Sequence, residues 1–365
     1  MRLQVTQQNL NRALGTVARV ANTRNQLPIL ANVLIRTSGN RLSISATNLD
    51  IAITEYVGTK VTEEGSITVP ARLMQDFVNS LPDGVIDLKL EETKLHITTE
   101  KYQSVVNGVV ADDFPVMPAI EAGESFQVPS SLLRQSLQQV VFAASNDESR
   151  PVLTGVLFRG NNSALNIAAT DSYRLAEKRL KLKLSHDVSL LIPATAMQDL
   201  LRILTDTEDE VTITYDDQQV LFQVTDVELV ARLLEGSYPD YQKLIPANFA
   251  VSATLKRAEL MNVTKVSSLF ARESAGSITI KVDEADKLLS IHSVASQLGE
   301  NTASASADIK GSGSITLNSR YLIDALNAIH EDEIEFAFNG KLEPIVVRAA
   351  GGKADYTHII MPLKS

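Results

Sequence analysis

The chain has 365 residues, room for two or three domains, with 44% hydrophobic and 21% charged residues, an ordinary globular balance. It has no cysteine, which excludes disulfides, thiolate metal sites and a cysteine nucleophile, and it has no apolar run long enough to cross a bilayer. Its formal net charge of −10 argues, taken alone, against a nucleic-acid partner, because affinity for DNA comes largely from cations meeting phosphates. The opening Met1-Arg2-Leu3-Gln4-Val5 lacks the apolar stretch of a signal peptide, so a cytoplasmic address without membrane association is expected.

The first predicted element is a helix, with Leu10, Ala13, Leu14, Val17 and Ala21 on one face. A second helix presents Met74, Phe77, Val78 and Leu81 just after Pro70, whose missing N–H costs little at a helix start. Alternating Ile86, Leu88 and Leu90 predict a strand. The series then returns. Leu133, Leu137, Val140, Val141 and Ala144 form a helical face, and Met197, Leu200, Leu201 and Leu204 follow Pro193 as another. Val211, Ile213 and Tyr215 alternate as a strand. A fifth helix starts near Leu260 and ends at the adjacent apolar pair Leu269 and Phe270. Leu322, Ala325, Leu326 and Ile329 form a sixth face, before the strand of Ile334, Phe336 and Phe338.

These returns are a repeat. A single shift of 123 carries Leu10-x-x-x-Leu14 onto Leu133-x-x-x-Leu137, Pro28-Ile29-Leu30 onto Pro151-Val152-Leu153, and Ala46-Thr47 onto Ala169-Thr170. The same shift carries Pro70-Ala71-x-x-Met74-Gln75-Asp76 onto Pro193-Ala194-x-x-Met197-Gln198-Asp199. A fainter third copy places Leu260 after Leu133 at a shift of 127, and Leu322 after Met197 at 125. The expected fold is α+β, with three similar domains at 1–124, 125–249 and 250–365, each with two helices packed on antiparallel sheets.

Charge follows the same division. The six predicted helices and the turns after the first of each pair hold eleven basic and four acidic residues, a surplus of seven on a chain whose total is −10. A basic helical layer meets phosphate while an acidic remainder repels stray nucleic acid. Chance segregation of solvated faces is the plainer alternative. Topological binding would remove the conflict with the net charge, since a closed ring needs only weak, sequence-blind contacts.

Catalytic signals are absent. His96, His186, His292, His330 and His358 form no pair at metal-ligand spacing, and Asp112-Asp113 reads as a loop, because neighbouring residues on an extended segment point apart. The acidic run around Asp209 lacks the spacing and glycine of an EF-hand, and Glu331-Asp332-Glu333 falls at the matching repeat position, so both read as a shared acidic turn. Gly340-Lys341 and Gly352-Lys353 have no Ser or Thr after them and no phosphate-cradling loop before them. Neither an enzyme nor a bound cofactor is expected. Two segments stand out as sites: Ala169-Thr170-Asp171-Ser172-Tyr173-Arg174-Leu175-Ala176, and Ile359-Ile360-Met361-Pro362-Leu363-Lys364-Ser365, which reads equally well as a final strand.

With Leu27-Pro28-Ile29-Leu30, Arg150-Pro151-Val152-Leu153-Thr154-Gly155, Tyr238-Pro239-Asp240-Tyr241 and Met361-Pro362, these segments resemble the bacterial sliding clamps, the beta subunit of DNA polymerase III, over the whole chain. The resemblance implies a head-to-tail homodimeric ring, with helices lining the hole and sheets outside. It implies DNA contacts at Arg24, Arg72, Arg150 and Arg202. It implies a partner-peptide cleft of Leu153, Thr170, Ser172, Tyr173, Arg174, Leu175, Pro239, Lys243, Leu244, Leu342, Pro344, Ile359, Met361, Pro362 and Leu363. Leu269 and Phe270 would meet strand residues near Val106 of the partner subunit. The implied partners are duplex DNA, the replicative polymerase, other proteins with clamp-binding motifs, and a separate ATP-dependent loader, since this chain has no ATP motif. The sequence departs from the family at Lys364-Ser365, where tails are often more apolar or carry Arg. It also has Pro151 and Val152 where some members place aromatic DNA contacts. Two other readings compete: a repeat scaffold that binds peptides without encircling DNA, and an acid-type hydrolase built on paired carboxylates.

Overall fold

The computed structural model describes residues 1–21, 27–115, 120, 122–206, 209–297, 299–351 and 355–363. The first repeat runs β1 (Arg2–Thr6), α1 (Gln7–Val17), β2 (Asn32–Ser38), β3 (Arg41–Thr47), β4 (Ile51–Gly58), β5 (Lys60–Glu63) and β6 (Ser66–Pro70). It continues with α2 (Ala71–Ser80), β7 (Val85–Glu91), β8 (Lys94–Thr98) and β9 (Gln103–Asn107). The second runs β10 (Glu124–Pro129), α3 (Ser130–Val140), β11 (Gly155–Asn161), β12 (Ala164–Thr170), β13 (Arg174–Leu180) and β14 (Val188–Pro193). It ends with α4 (Ala194–Ile203), β15 (Glu210–Tyr215), β16 (Gln219–Val224) and β17 (Val227–Arg232). The third runs β18 (Val251–Lys256), α5 (Arg257–Phe270), β19 (Ser277–Asp283), β20 (Leu288–Ala295), β21 (Gly299–Ser306) and β22 (Asp308–Lys310). Then come β23 (Gly313–Asn318), α6 (Ser319–Ala328), β24 (Glu333–Phe338), β25 (Ile345–Ala349) and β26 (Tyr356–Ile360).

The predicted helical faces are the buried ones. In α1, Leu10, Ala13, Leu14 and Val17 are buried, and the Thr6 hydroxyl caps the helix by accepting from the Asn9 N–H at 3.3 Å. The first face stops short of Ala21. The helix closes where the Ala18 N–H bonds to the Leu14 carbonyl, and Ala21 lies beyond it. Ala144 likewise follows the 3-10 turn Val141–Ala143 in extended conformation. Among the described residues, no helix is long and apolar enough to cross a membrane.

The contacts divide the chain into two compact units, 1–134 with 198–233, and 135–197 with 234–365. The first unit holds a five-stranded sheet, β5-β1-β7-β8-β9, and an eight-stranded one, β10-β15-β16-β17-β4-β3-β2-β6. The second holds a nine-stranded sheet, β14-β11-β12-β13-β26-β25-β24-β18-β22, and a four-stranded one, β21-β20-β19-β23. The two long sheets cut across the repeats. In each, the third strand after the first helix pairs antiparallel with the last strand of the next repeat. Ala52 on β4 faces Val230 on β17, and Leu175 on β13 faces Ile359 on β26. Two strands of these same types have no such partner: β9, the last strand of the first repeat, and β21, the matching strand of the third, both lie at sheet edges.

Each sheet is two-faced for the usual period-two reason. On β4, Ile51, Ile53 and Val57 are buried beneath α1, while Ala52, Thr54 and Tyr56 turn to the opposite face.

Candidate functional site

Arg72 sits on the outer side of α2, 91% exposed, in a loose ion pair with Asp76 at 3.9 Å. Such a surface pair holds a guanidinium weakly and leaves it available to an anion. Between α1 and the end of α4 lies a cleft of about 190 Å³ lined by Arg12, Thr16, Arg19, Asp199 and Arg202. Arg202 bonds to Asp199 at 2.6 Å, and Arg12 to the buried Glu55 at 2.9 Å. Burial pushes the Asp199 carboxyl up, against the opposing pull of Arg202 and Arg19. The cleft gathers three guanidiniums and one carboxylate, with Glu55 buried behind Arg12, a surface fit for phosphate without base recognition. Arg12 and Arg19 are members of this group that the resemblance did not supply. Their place on the exposed side of the first helix was the available signal. Arg24 lies outside the described residues. Arg150 is half exposed and already engaged, by Asp147 at 3.4 Å and by the Ser172 hydroxyl at 3.0 Å.

The segment from Ala169 to Ala176 folds as a turn between β12 and β13, locked by its own side chains. The Asp171 carboxylate accepts from the Tyr173 and Arg174 N–H groups, both at 2.9 Å. The Thr170 hydroxyl donates to the Arg174 carbonyl at 2.6 Å and accepts from the Ser172 N–H at 3.1 Å. Ser172 takes φ +77°, a left-handed conformation that this bonding holds in place. Tyr173 is thereby presented to solvent, and its carbonyl accepts from the Met361 N–H at 2.8 Å, tying the tail to the turn.

Arg174 does not belong to an open site. Its side chain is 11% exposed and donates to Asp171 at 3.1 Å, Asp324 at 2.5 Å and the Phe142 carbonyl at 2.8 Å. It lies over the Phe142 ring at 5.3 Å and the Tyr321 ring at 4.8 Å. Every arm of the fork is used, so Arg174 braces the turn. Lys243 is exposed but paired to Asp240 at 2.8 Å, a hydrogen bond that raises its pKa.

On the face of the nine-stranded sheet beside this turn, Leu157, Ala168, Leu175, Leu191, Val346 and Ile359 cluster with Tyr238 and Tyr241. The two tyrosine rings meet edge to face at 6.4 Å, and the Tyr241 hydroxyl donates to Glu177 at 2.5 Å. Burial raises both phenols well above their ordinary pKa. Of the expected cleft residues, Leu153, Thr170, Leu175 and Ile359 are buried, and Pro344, Met361, Pro362 and Leu363 half-buried. Pro239, Leu244 and Leu342 are exposed. Tyr241, Leu157 and Val346 were missed. Tyr241 stood inside a quoted motif, and the other two lie in unbroken apolar runs, Val156-Leu157-Phe158 and Ile345-Val346-Val347, where alternation gives no signal of which face a side chain takes.

At the free edges, β9 alternates between covered and exposed side chains. Val106 is buried, 6% exposed, while Val105 is 53% exposed and presents its side chain outward. Leu269 is exposed and Phe270 half-buried at the end of α5, and the Ser267 hydroxyl bonds Asn301 on β21 at 3.1 Å. Among the described residues, no three acidic or imidazole side chains cluster as metal ligands. His358 is fully buried against Phe142, and burial, then the Arg174 charge, holds its pKa down at about 3.

Family profiles for the DNA polymerase III beta subunit match three stretches: its N-terminal domain over 1–118, its central domain over 127–240 and its C-terminal domain over 242–364. A beta sliding clamp from Synechocystis is 32% identical over 389 residues, covering 100% of this chain and 99% of the relative. One from Staphylococcus aureus is 30% identical, covering 96% of each. Among solved structures, the DNA polymerase sliding clamp of Bacillus subtilis superposes with a TM-score of 0.96 at 28% identity, covering 100% of this chain and 99% of that one. The DNA polymerase III subunit beta of Pseudomonas aeruginosa gives 0.95 at 26% identity, with both chains covered completely.

Proposed function

The chain belongs to the DNA polymerase III beta subunit family of bacterial sliding clamps and is a DNA polymerase III processivity clamp; from that premise we propose that two copies close head to tail into a ring around duplex DNA, β9 of each pairing with β21 of the other. The observation that carries this reading is the strand inventory. Each seam between repeats joins one strand of the β4 type to one of the β17 type, and the chain has one of each left over. A second copy supplies what both lack. A closing contact of this kind pairs the two seam-type strands that one copy leaves at sheet edges.

The seams also fix the register. Carried over from Ala52 opposite Val230 and Leu175 opposite Ile359, the pairing sets Ser104 opposite Asn301 and Val105 opposite Glu300. Directly opposed residues alternate between close and wide pairs, so one of these two is of the close type that a disulfide bridges. The chain has no cysteine of its own. Oxidising either Ser104→Cys with Asn301→Cys, or Val105→Cys with Glu300→Cys, is expected to give a covalent dimer on a denaturing gel. The misaligned pair Gln103→Cys with Glu300→Cys is expected to give far less. Equal yields from all three would refute the register, and a monomer by sedimentation would refute the ring.

Within this reading, Arg72, Arg150 and Arg202, joined by Arg12 and Arg19, meet DNA phosphate, and Arg24 is assigned there with them. The three repeats at 1–124, 125–249 and 250–365 act as three domains. Leu269 and Phe270 pack at the subunit contact against the strand around Val106 of the other copy. The cleft around Leu175, Pro239, Leu244 and Met361 takes short peptides from the replicative polymerase and other partners, with apolar anchors supplying most of the affinity. A separate ATP-dependent loader opens the ring. The protein works in the cytoplasm and catalyses no reaction.

The cleft assignment has its own test. Leu175→Ala with Met361→Ala is expected to abolish polymerase stimulation while leaving the dimer and its retention on circular DNA intact. Full stimulation by the double variant would place the peptide site elsewhere.

A further inference from the structure

The first unit carries a cleft of about 390 Å³ on the face of its eight-stranded sheet turned away from α1. It occupies the place that the Leu175 cluster occupies in the second unit. Leu34 stands where Leu157 does and Thr47 where Thr170 does, each at the repeat shift of 123. The seam pair Ala52 and Val230 stands where Leu175 and Ile359 do. Phe114-Pro115 takes the place of Tyr238-Pro239.

The substitutions change the character of the site. Leu175 and Ile359 are almost fully covered, beneath Tyr238 and Tyr241. Ala52 is smaller, and it and Val230 are only half covered, so the floor is open at its centre. Leu221 adds apolar wall, and Ser45 and Thr54 bond each other at 2.9 Å along one side. Glu228 is already engaged, by the Tyr56 hydroxyl at 3.2 Å and the Gln223 amide at 3.1 Å. Arg36 lines the cleft and is exposed, so the free charge offered to a ligand is positive.

We propose that this cleft is a second peptide site, taking a short extended segment with one bulky apolar side chain over Ala52 and a neighbouring carboxylate on Arg36. The size fits: the volume is at the lower end for ligand pockets and holds a few side chains. A single chain then binds partners at two related places, the second preferring an acidic flank. The proposal rests on reading the Leu175 cleft as a partner site.

Disulfide tethering tests both clefts separately, because an introduced thiol is unique in this cysteine-free chain. Ser43→Cys places one beside the first-unit cleft, and Leu244→Cys places one beside the Leu175 cleft. Each full-length variant is equilibrated under excess mercaptoethanol with disulfide-capped Leu-Phe-Glu, Leu-Phe-Lys or Ser-Ser-Glu, and labelling is read by intact mass. At position 43, Leu-Phe-Glu is expected to exceed Ser-Ser-Glu by about tenfold, the scale set by burying one apolar side chain, and Leu-Phe-Lys by about threefold, the scale of an exposed ion pair with Arg36. Adding Ala52→Phe, which fills the floor, is expected to erase that preference at 43 and leave position 244 unchanged. Leu175→Ala with Met361→Ala is expected to do the reverse. Labelling at 43 by either control equal to that by Leu-Phe-Glu, or a preference that survives Ala52→Phe, overturns the second site. Loss of preference at 244 alone overturns the reading of the Leu175 cleft instead.

Discussion

Loaded on a nicked circular plasmid, the protein is expected to stay with the circle as salt is raised and to leave after a single restriction cut. The physical case lies in how thinly its cations are spread. The six helices hold seven basic and four acidic residues, a surplus of three distributed over three repeats, on a chain of net charge −10. Several of these cations are shared with carboxylates, as Arg202 is with Asp199 and Arg12 with Glu55. Contacts of that kind release counterions and weaken steeply with salt, by roughly 0.9 of a log unit in affinity per phosphate contact for each log unit of salt. Linkage has no such dependence. Retention on circles should therefore be insensitive to salt, while binding to linear DNA collapses. Replacing Arg72 and Arg202 by Ala should impair loading or alter sliding and leave retention largely intact. Equal loss from circular and linear DNA, with the same salt slope, would reduce the protein to one that adheres to DNA and would sink the ring.

Arg174→Ala is expected to cost about 3–5 kcal/mol in the stability of the second unit, the range for removing one member of a buried charge cluster. Asp171 and Asp324 would lose the cation that neutralises them, and the Phe142 carbonyl a donor. Urea unfolding followed by tyrosine fluorescence reads this directly, since the chain has eight tyrosines and no tryptophan. Arg174→Lys should restore only part of the loss, because an ammonium cannot span three acceptors and stack between two rings. His358 provides an independent reading. Its pKa of about 3 is set first by burial and second by the Arg174 charge, so it should rise in the alanine variant and still remain below 6.5. A folded pKa below the free value means that this group costs stability as pH falls from about 6.5 towards 3 in the parent protein, and the window should narrow in the variant. An unchanged unfolding midpoint would show the cluster to be ornamental.

Much of this architecture could be read from residue spacing. The helical faces obey a 3.6-residue period and the strands a two-residue one, and both are local properties that survive in sequence. The repeat shift of 123 is equally visible, and it led to the charge segregation. What spacing could not show is which distant strands meet. β4 and β17 pair across more than a hundred and sixty residues, so the sheets that bridge repeats were hidden. The partners of Arg174 were hidden for the same reason: its motif stands out, but Asp324 lies 150 residues further on and Phe142 lies 32 residues before it. The phase of the edge strand was hidden too: the spacing that marks β9 does not say which set of alternate residues faces the core, and Val106 is covered while Val105 takes the outside.

The strands that bridge repeats have a mechanical consequence. When the hydrogen bonds between β4 and β17, or between β13 and β26, break, the two strands remain leashed by the same polypeptide, and the leash keeps their effective concentration high enough for rapid reclosure. A contact between β9 and β21 of separate chains has no leash of its own. The ring then has walls and gates made of the same bonds, told apart only by covalent continuity. An opening device has no need to recognise a weaker seam; it need only hold apart the ends that nothing else brings back.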